Sequence, residues 1–171
     1  MTFEQLIVQQ RPHLERVIQD LARRNYLALT EIQEFRDAVE RALERDDYEL
    51  LRAFDGRSTW ETYLTTVVTR QFFLFQGALW GQWRPSAAAM RLGPAAMLLE
   101  ELVVRDRFTL NDAVDWMRTT HRVDLPRHRL LQMAERLNLA SAPTGRSAAP
   151  PEPPPPNPTL NIALKDALAL V

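Results

Sequence analysis

Cysteine is absent from this 171-residue chain, which removes disulfide staples, thiolate metal sites and thiol nucleophiles together. Glycine is scarce, with five scattered residues, so there is no glycine-rich loop to cradle a phosphate. No apolar run approaches the roughly 20 residues that a bilayer-spanning helix requires. Met1 to Leu14 lacks the basic, apolar, small-residue order of a signal peptide, so a cytoplasmic protein without a membrane partner is expected. Alternating strand patterns are nearly missing, and no serine sits in a nucleophile-elbow context. His13, His121 and His128 stand at spacings unlike a metal-binding pair on a helix. The expectation is no metal, no cofactor, no catalytic residue and no enzyme.

What is present is helical periodicity. Apolar residues make up 46% of the chain, enough for a core. Phe3, Leu6, Ile7, Leu14, Val17, Ile18 and Leu21 recur at three and four residues, a stripe facing a core. Pro12 either kinks that helix or starts it afresh. Thr30 reads as the N-cap of a second helix, with Gln33 completing a capping box. The stripe of this helix is Ile32, Phe35, Val39 and Leu43. Its other face carries Glu31, Gln33, Glu34, Asp37, Glu40, Arg41 and Glu44, the pattern of a solvated surface. Asp55-Gly56 breaks the pattern, and Ser58 or Thr59 can cap a third helix from Trp60 to about Leu79. Beyond Pro85-Ser86, a helix from Ala87 to Val104 is interrupted at Gly93-Pro94. Shorter helices are expected at Leu110–Arg118 and Pro126–Leu137. The last two could form a helix-turn-helix, although the turn from Thr119 to Leu125 is long and free of glycine. The fold class is all-α.

Two features bear on function. The first is charge. The net charge is −1, but Met1–Gly56 holds 12 acids against 8 arginines, whereas Arg57–Arg91 has only Glu61 against four arginines. An acidic half followed by a basic stretch suggests two faces with different partners. The second is a crowd of aromatics. Phe72, Phe73, Phe75, Trp80 and Trp83 fall close together, interleaved with Arg70, Gln71, Gln76, Gln82 and Arg84. At 100° per residue no single face can bury all of them. Flat rings among cations suit the stacking of unpaired bases; the other reading is a wide aromatic core.

Ala140 to Pro158 is so rich in proline that an extended, semi-rigid and disordered linker is expected. Helical periodicity returns from Thr159 to Val171; it reads either as a short tail that docks back on the domain or, the favoured reading, as the truncated start of a second domain.

The ordered set of features from Leu21 to Pro94 resembles region 2 of the sigma-70 family of bacterial RNA polymerase sigma factors. An acidic helix, Thr30-Glu-Ile-Gln-Glu-Phe-Arg-Asp, stands where the polymerase-binding helix of the family stands. The run Asp46-Asp47-Tyr48-Glu49-Leu50-Leu51-Arg52-Ala53-Phe54-Asp55-Gly56-Arg57-Ser58-Thr59-Trp60-Glu61-Thr62-Tyr63-Leu64 is similar to the loop and helix start of the small, extracytoplasmic-function-like members. Trp80-Gly81-Gln82-Trp83-Arg84-Pro85-Ser86 and Arg91-Leu92-Gly93-Pro94 resemble a tryptophan-rich block found in a subgroup of them. The helix end Arg70–Gln76 differs, with phenylalanines and glutamine where an aspartate and basic residues are usual.

The resemblance implies a small region 2-like helical bundle over residues 1–95, extra helices over 96–139, the linker at 140–158, and at 159–171 only the first helix of region 4. It implies a transcription initiation protein that binds core RNA polymerase and recognises and melts the minus-ten promoter element. Glu31, Gln33, Glu34 and Asp37 would contact the coiled-coil of the polymerase β′ subunit. Gly56, Arg57, Ser58, Thr59 and Trp60 would accept a flipped base of promoter DNA, and Arg70, Gln71, Phe73 and Arg84 would hold the melted strand. An anti-sigma factor is a further possible partner. The alternative is a helical protein-interaction or regulatory module that binds no promoter DNA.

Overall fold

Thr2 starts the first helix with a reciprocal capping box in which its hydroxyl accepts from the Gln5 N–H (3.2 Å) and the Gln5 side chain accepts from the Thr2 N–H (3.0 Å). The computed structural model describes residues 1–141, and every regular element among them is helical. Helix α1 spans Phe3–Arg24 and runs through Pro12. Pro12 is exposed, so its ring stands on the solvent side and the helix neither stops nor restarts there.

Helix α2, Leu29–Arg52, begins before Thr30. Ala28 is its N-cap and brings no side-chain oxygen; the Glu31 carboxylate instead accepts from the Ala28 N–H at 2.8 Å. The expected Thr30–Gln33 capping box is therefore replaced by Glu31. Gln33 bonds along the helix, donating to Asp37 (2.9 Å) and accepting from Arg36 (2.7 Å). Near its end α2 is broken by Asp46, Asp47 and Tyr48, all left-handed, with φ of 50°, 55° and 61°. Arg52 braces this turn by donating to the Asp46 carbonyl (2.6 Å) and to the Asp47 carboxylate (3.1 Å).

Helix α3 covers Trp60–Trp80. Of the two candidate caps Thr59 serves, its hydroxyl accepting from the Thr62 N–H at 3.2 Å. Residues 1–79 form one compact unit. Its core is drawn from all three helices: Leu14 and Ile18 of α1; Ile32, Phe35, Val39 and Leu43 of α2; Leu64, Val67, Val68, Phe72 and Phe75 of α3. Phe35 lies between Phe72 and Phe75, with ring centroids 5.4 and 5.3 Å away. His13 ties α1 to α3, its Nε2 lying 2.9 Å from both the Glu61 carbonyl and the Thr65 hydroxyl.

A second unit starts at Trp80. It contains α4 (Ala87–Leu92), α5 (Pro94–Glu100) running into a π-turn at Glu101–Arg105, α6 (Leu110–Thr119) and α7 (Arg127–Arg136). Gly93, at φ 107°, makes the expected break between α4 and α5. Residue 95, where the sequence suggests a domain boundary, lies inside α5, which packs against α4. The core of this unit is Leu98, Leu99, Leu102, Val103, Val114, Met117, Val123 and Leu130 with small alanines between them. Glu100 is buried, and its carboxylate accepts from the Ser86 N–H at 2.8 Å. Ser86 in turn caps α4 through Ala89. Of the expected linker, Ala140 and Ser141 end a short 3-10 turn; the rest of it and the segment 159–171 lie outside the described residues. No helix among those residues is long and apolar enough to cross a membrane.

Candidate nucleic-acid interface

The segment from Phe54 to Thr59 is a tight loop built by its own side chains. The Asp55 carboxylate accepts from the Arg57 N–H at 3.1 Å, a local Asx-type turn. Gly56 follows at φ 76°, which favours glycine because a Cβ is strained there. The Arg57 guanidinium lies 3.2 Å from the Asp55 carboxylate, with both groups largely exposed. Ser58 donates to the Thr59 carbonyl (3.3 Å) and Thr59 caps α3, so the loop hands the chain directly to the helix.

Trp60 opens α3 half-buried. Its indole stacks on Phe54 with centroids 4.0 Å apart and meets the edge of Tyr63 at 6.0 Å. The Tyr63 hydroxyl donates to the Leu50 carbonyl. Trp60 is thereby held as the rim of an aromatic trio.

Along α3 the sides divide cleanly. Leu64, Val67, Val68, Gln71, Phe72 and Phe75 are buried. On a helix of 100° per residue these centre opposite Thr62, Thr66, Thr69, Arg70 and Phe73. Phe73 is 64% exposed. Arg70 is exposed and forms no ion pair or side-chain hydrogen bond among the described residues. The aromatic run is therefore split, with Phe72 and Phe75 in the core and Phe73 outside. Gln71 is 5% exposed; its placement among strand-holding residues is corrected, because the register that exposes Arg70 turns the next side chain inward.

The threonines were not singled out from the sequence, although their spacing of four and three residues was the available signal. Thr66 and Thr69 donate to the carbonyls of Thr62 and Thr65. Arg84 belongs to the second unit and is folded onto its own turn, donating to the Gly81 and Trp83 carbonyls at 2.5 and 2.7 Å. Trp80 and Trp83 meet edge to face at 6.0 Å beside it.

The acidic face of α2 is a separate surface. Gln33, Glu34 and Asp37 share one side, turned from the core. Glu31 is half-buried and committed to the helix start. The Glu34 carboxyl is pushed above its ordinary range by partial desolvation and then by the charges of Glu31 and Asp37. The nearest cation on the helix does not relieve it: Arg36 turns to α1, where it makes a two-point pair with Glu15 at 2.6 and 2.9 Å.

Among the described residues no group of three or more His, Asp or Glu side chains could hold a metal ion. No protein-family model matches the chain, and no curated protein or solved structure matches it.

Proposed function

We propose that the chain is a sigma-factor-like transcription initiation protein that binds core RNA polymerase through α2 and captures the melted minus-ten strand along α3. The observation that carries this reading is the outward face of α3, where an unpaired Arg70 and an exposed Phe73 stand on the side opposite the core. A burial-driven helix has no use for a phenylalanine there, whereas an unpaired base stacks on such a ring with about 1–3 kcal/mol. The capped Asp55–Thr59 loop and the Trp60 rim lie at the start of the same helix and supply a rigid edge for a flipped base. Glu34 and Asp37, beside the neutral Gln33 and the α1-facing Arg36, supply an acidic patch for a basic partner surface. No covalent chemistry is needed, because the open promoter state alone presents bases to stack, and preferential binding shifts the equilibrium towards it.

The second reading is a helical interaction module without promoter binding. It is favoured by Gln71 being buried and by Arg57 and Arg84 being engaged within the chain. One experiment separates the two. With core polymerase present, labelled single-stranded minus-ten DNA should bind more tightly than the duplex. Phe73→Ala should weaken that binding strongly while leaving thermal stability nearly unchanged. Intact polymerase binding with no preference for the single strand would leave the interaction module as the answer.

A further inference from the structure

Helix α7 packs against α5 and α6 through Leu130 and Ala134, which are buried. At 100° per residue its opposite arc carries His128, Arg129, Gln132, Glu135 and Arg136, all exposed. Arg118 at the end of α6 and Arg122 in the following turn are also exposed, and both border one open concavity that Asp115 and Asp124 line as well. Arg118, Arg122, Arg129 and Arg136 form no ion pair or side-chain hydrogen bond among the described residues. The remaining arginine, Arg127, is spent on Asp115 and Asn111, both at 2.7 Å. From Arg118 to Arg136 the chain holds five arginines against two carboxylates, Asp124 and Glu135, inside a protein whose net charge is −1. This basic surface is local and is not a by-product of overall charge.

We infer that the outer face of α7, together with Arg118 and Arg122, is a docking surface for duplex DNA, with α7 in the major groove. Unpaired guanidiniums match a regular polyanion. The arc also carries what base edges require: Gln132 can bond adenine and Glu135 the amino group of cytosine, while Arg129 joins the phosphate contacts. A helix about 10–12 Å across fits the major groove of B-form DNA but not the deep, narrow groove of double-stranded RNA. A lipid surface is disfavoured, because none of the large exposed apolar side chains lies on α7. The inference stands on α7 and its neighbours alone and does not rest on strand capture by α3.

The test uses the full chain without polymerase and a labelled mixed-sequence duplex of about 20 base pairs, two helical turns. Four phosphate contacts predict an affinity that falls roughly a hundredfold between about 50 and 200 mM salt. Replacing Arg118, Arg122, Arg129 and Arg136 together by Gln should remove most of that salt slope, about 0.9 per arginine. Circular dichroism should be unchanged, since none of the four has a partner to lose among the described residues. Selection from a random duplex pool should enrich a sequence with the native chain, and Gln132→Ala should change that sequence while leaving the slope intact. Phe73→Ala should leave duplex binding as it is, which separates this surface from the proposed strand-capture face. The inference is overturned if the native chain fails to bind the duplex at low salt, if the four-fold variant binds as the native chain does, or if double-stranded RNA or poly-glutamate binds as tightly as DNA.

Discussion

Phe72 and Phe73 are neighbours in the chain with opposite fates. Phe72 is 2% exposed and meets Phe35, while Phe73 is 64% exposed. Phe72→Ala is expected to cost about 3–5 kcal/mol of folding free energy, whereas Phe73→Ala should cost less than about 0.5 kcal/mol; chemical denaturation of the two variants checks both. The ionic residues divide in the same way. The Arg36 hydrogen bonds hold the Glu15 carboxyl below its ordinary range, partly opposed by desolvation. A lowered acid stabilises the fold above its unfolded pKa, about 4.3, and that stability is lost as the pH falls through the lowered value. Arg36→Ala should therefore cost about 1 kcal/mol at neutral pH, allowing for the solvent exposure of the pair, and almost nothing in acid. Glu34 has the opposite sign. Its raised pKa makes ionisation a penalty in the folded state, present above the raised value and absent below the unfolded one. Glu34→Gln should stabilise the chain by about 0.2–0.5 kcal/mol at neutral pH while weakening polymerase binding. A loss of stability in thermal melts would show that the acidic face serves the fold and not a partner.

Among the elements, α2 departs most from its sequence pattern. Glu44 to Leu51 contains neither glycine nor proline, yet Asp46, Asp47 and Tyr48 form a left-handed turn. Such residues cost about 1–2 kcal/mol each, and tertiary contacts compensate. Tyr48 packs on Phe3 at 5.8 Å, Leu51 enters the core, and Arg52 bonds back to the turn. Asp46→Gly should relieve part of the strain and raise stability by about 0.5–1 kcal/mol. In a right-handed helix the same change would lower it by about 0.3 kcal/mol, so the sign of the shift in denaturant midpoint reports the conformation in solution. The helix starts show how far local chemistry reads. Thr59 was recognisable as a cap because it precedes a strongly apolar stripe. Thr30 carried the same signal and lost, because Glu31 could satisfy the Ala28 N–H one turn earlier and because Leu27 and Ala28 are buried at the helix entry.

For the molecule as a whole, the decisive question is whether the acidic and the aromatic surfaces serve one task. Reversing Glu34→Arg and Asp37→Arg together should abolish co-purification with core polymerase while preserving helical content, since both side chains lie off the core. Undiminished co-purification would remove α2 from the proposed role and leave α3 without the partner that brings it to a promoter.

The sequence by itself determined the helical class, the stripes that become cores, the breaks at Asp55-Gly56 and Gly93-Pro94, and the surplus of aromatics over what one helix face can bury. These follow from period, composition and backbone chemistry, which act over one or two turns. Only the tertiary structure decided which aromatics were surplus. The rotational setting of α3 against Phe35 sent Phe72 and Phe75 inward with Gln71 and left Arg70 and Phe73 outside. It also carried the Arg36 guanidinium across to Glu15 of α1 while keeping its bond to Gln33. Each of these choices depends on what a second helix places opposite the side chain, and neighbours along the chain carry no record of that.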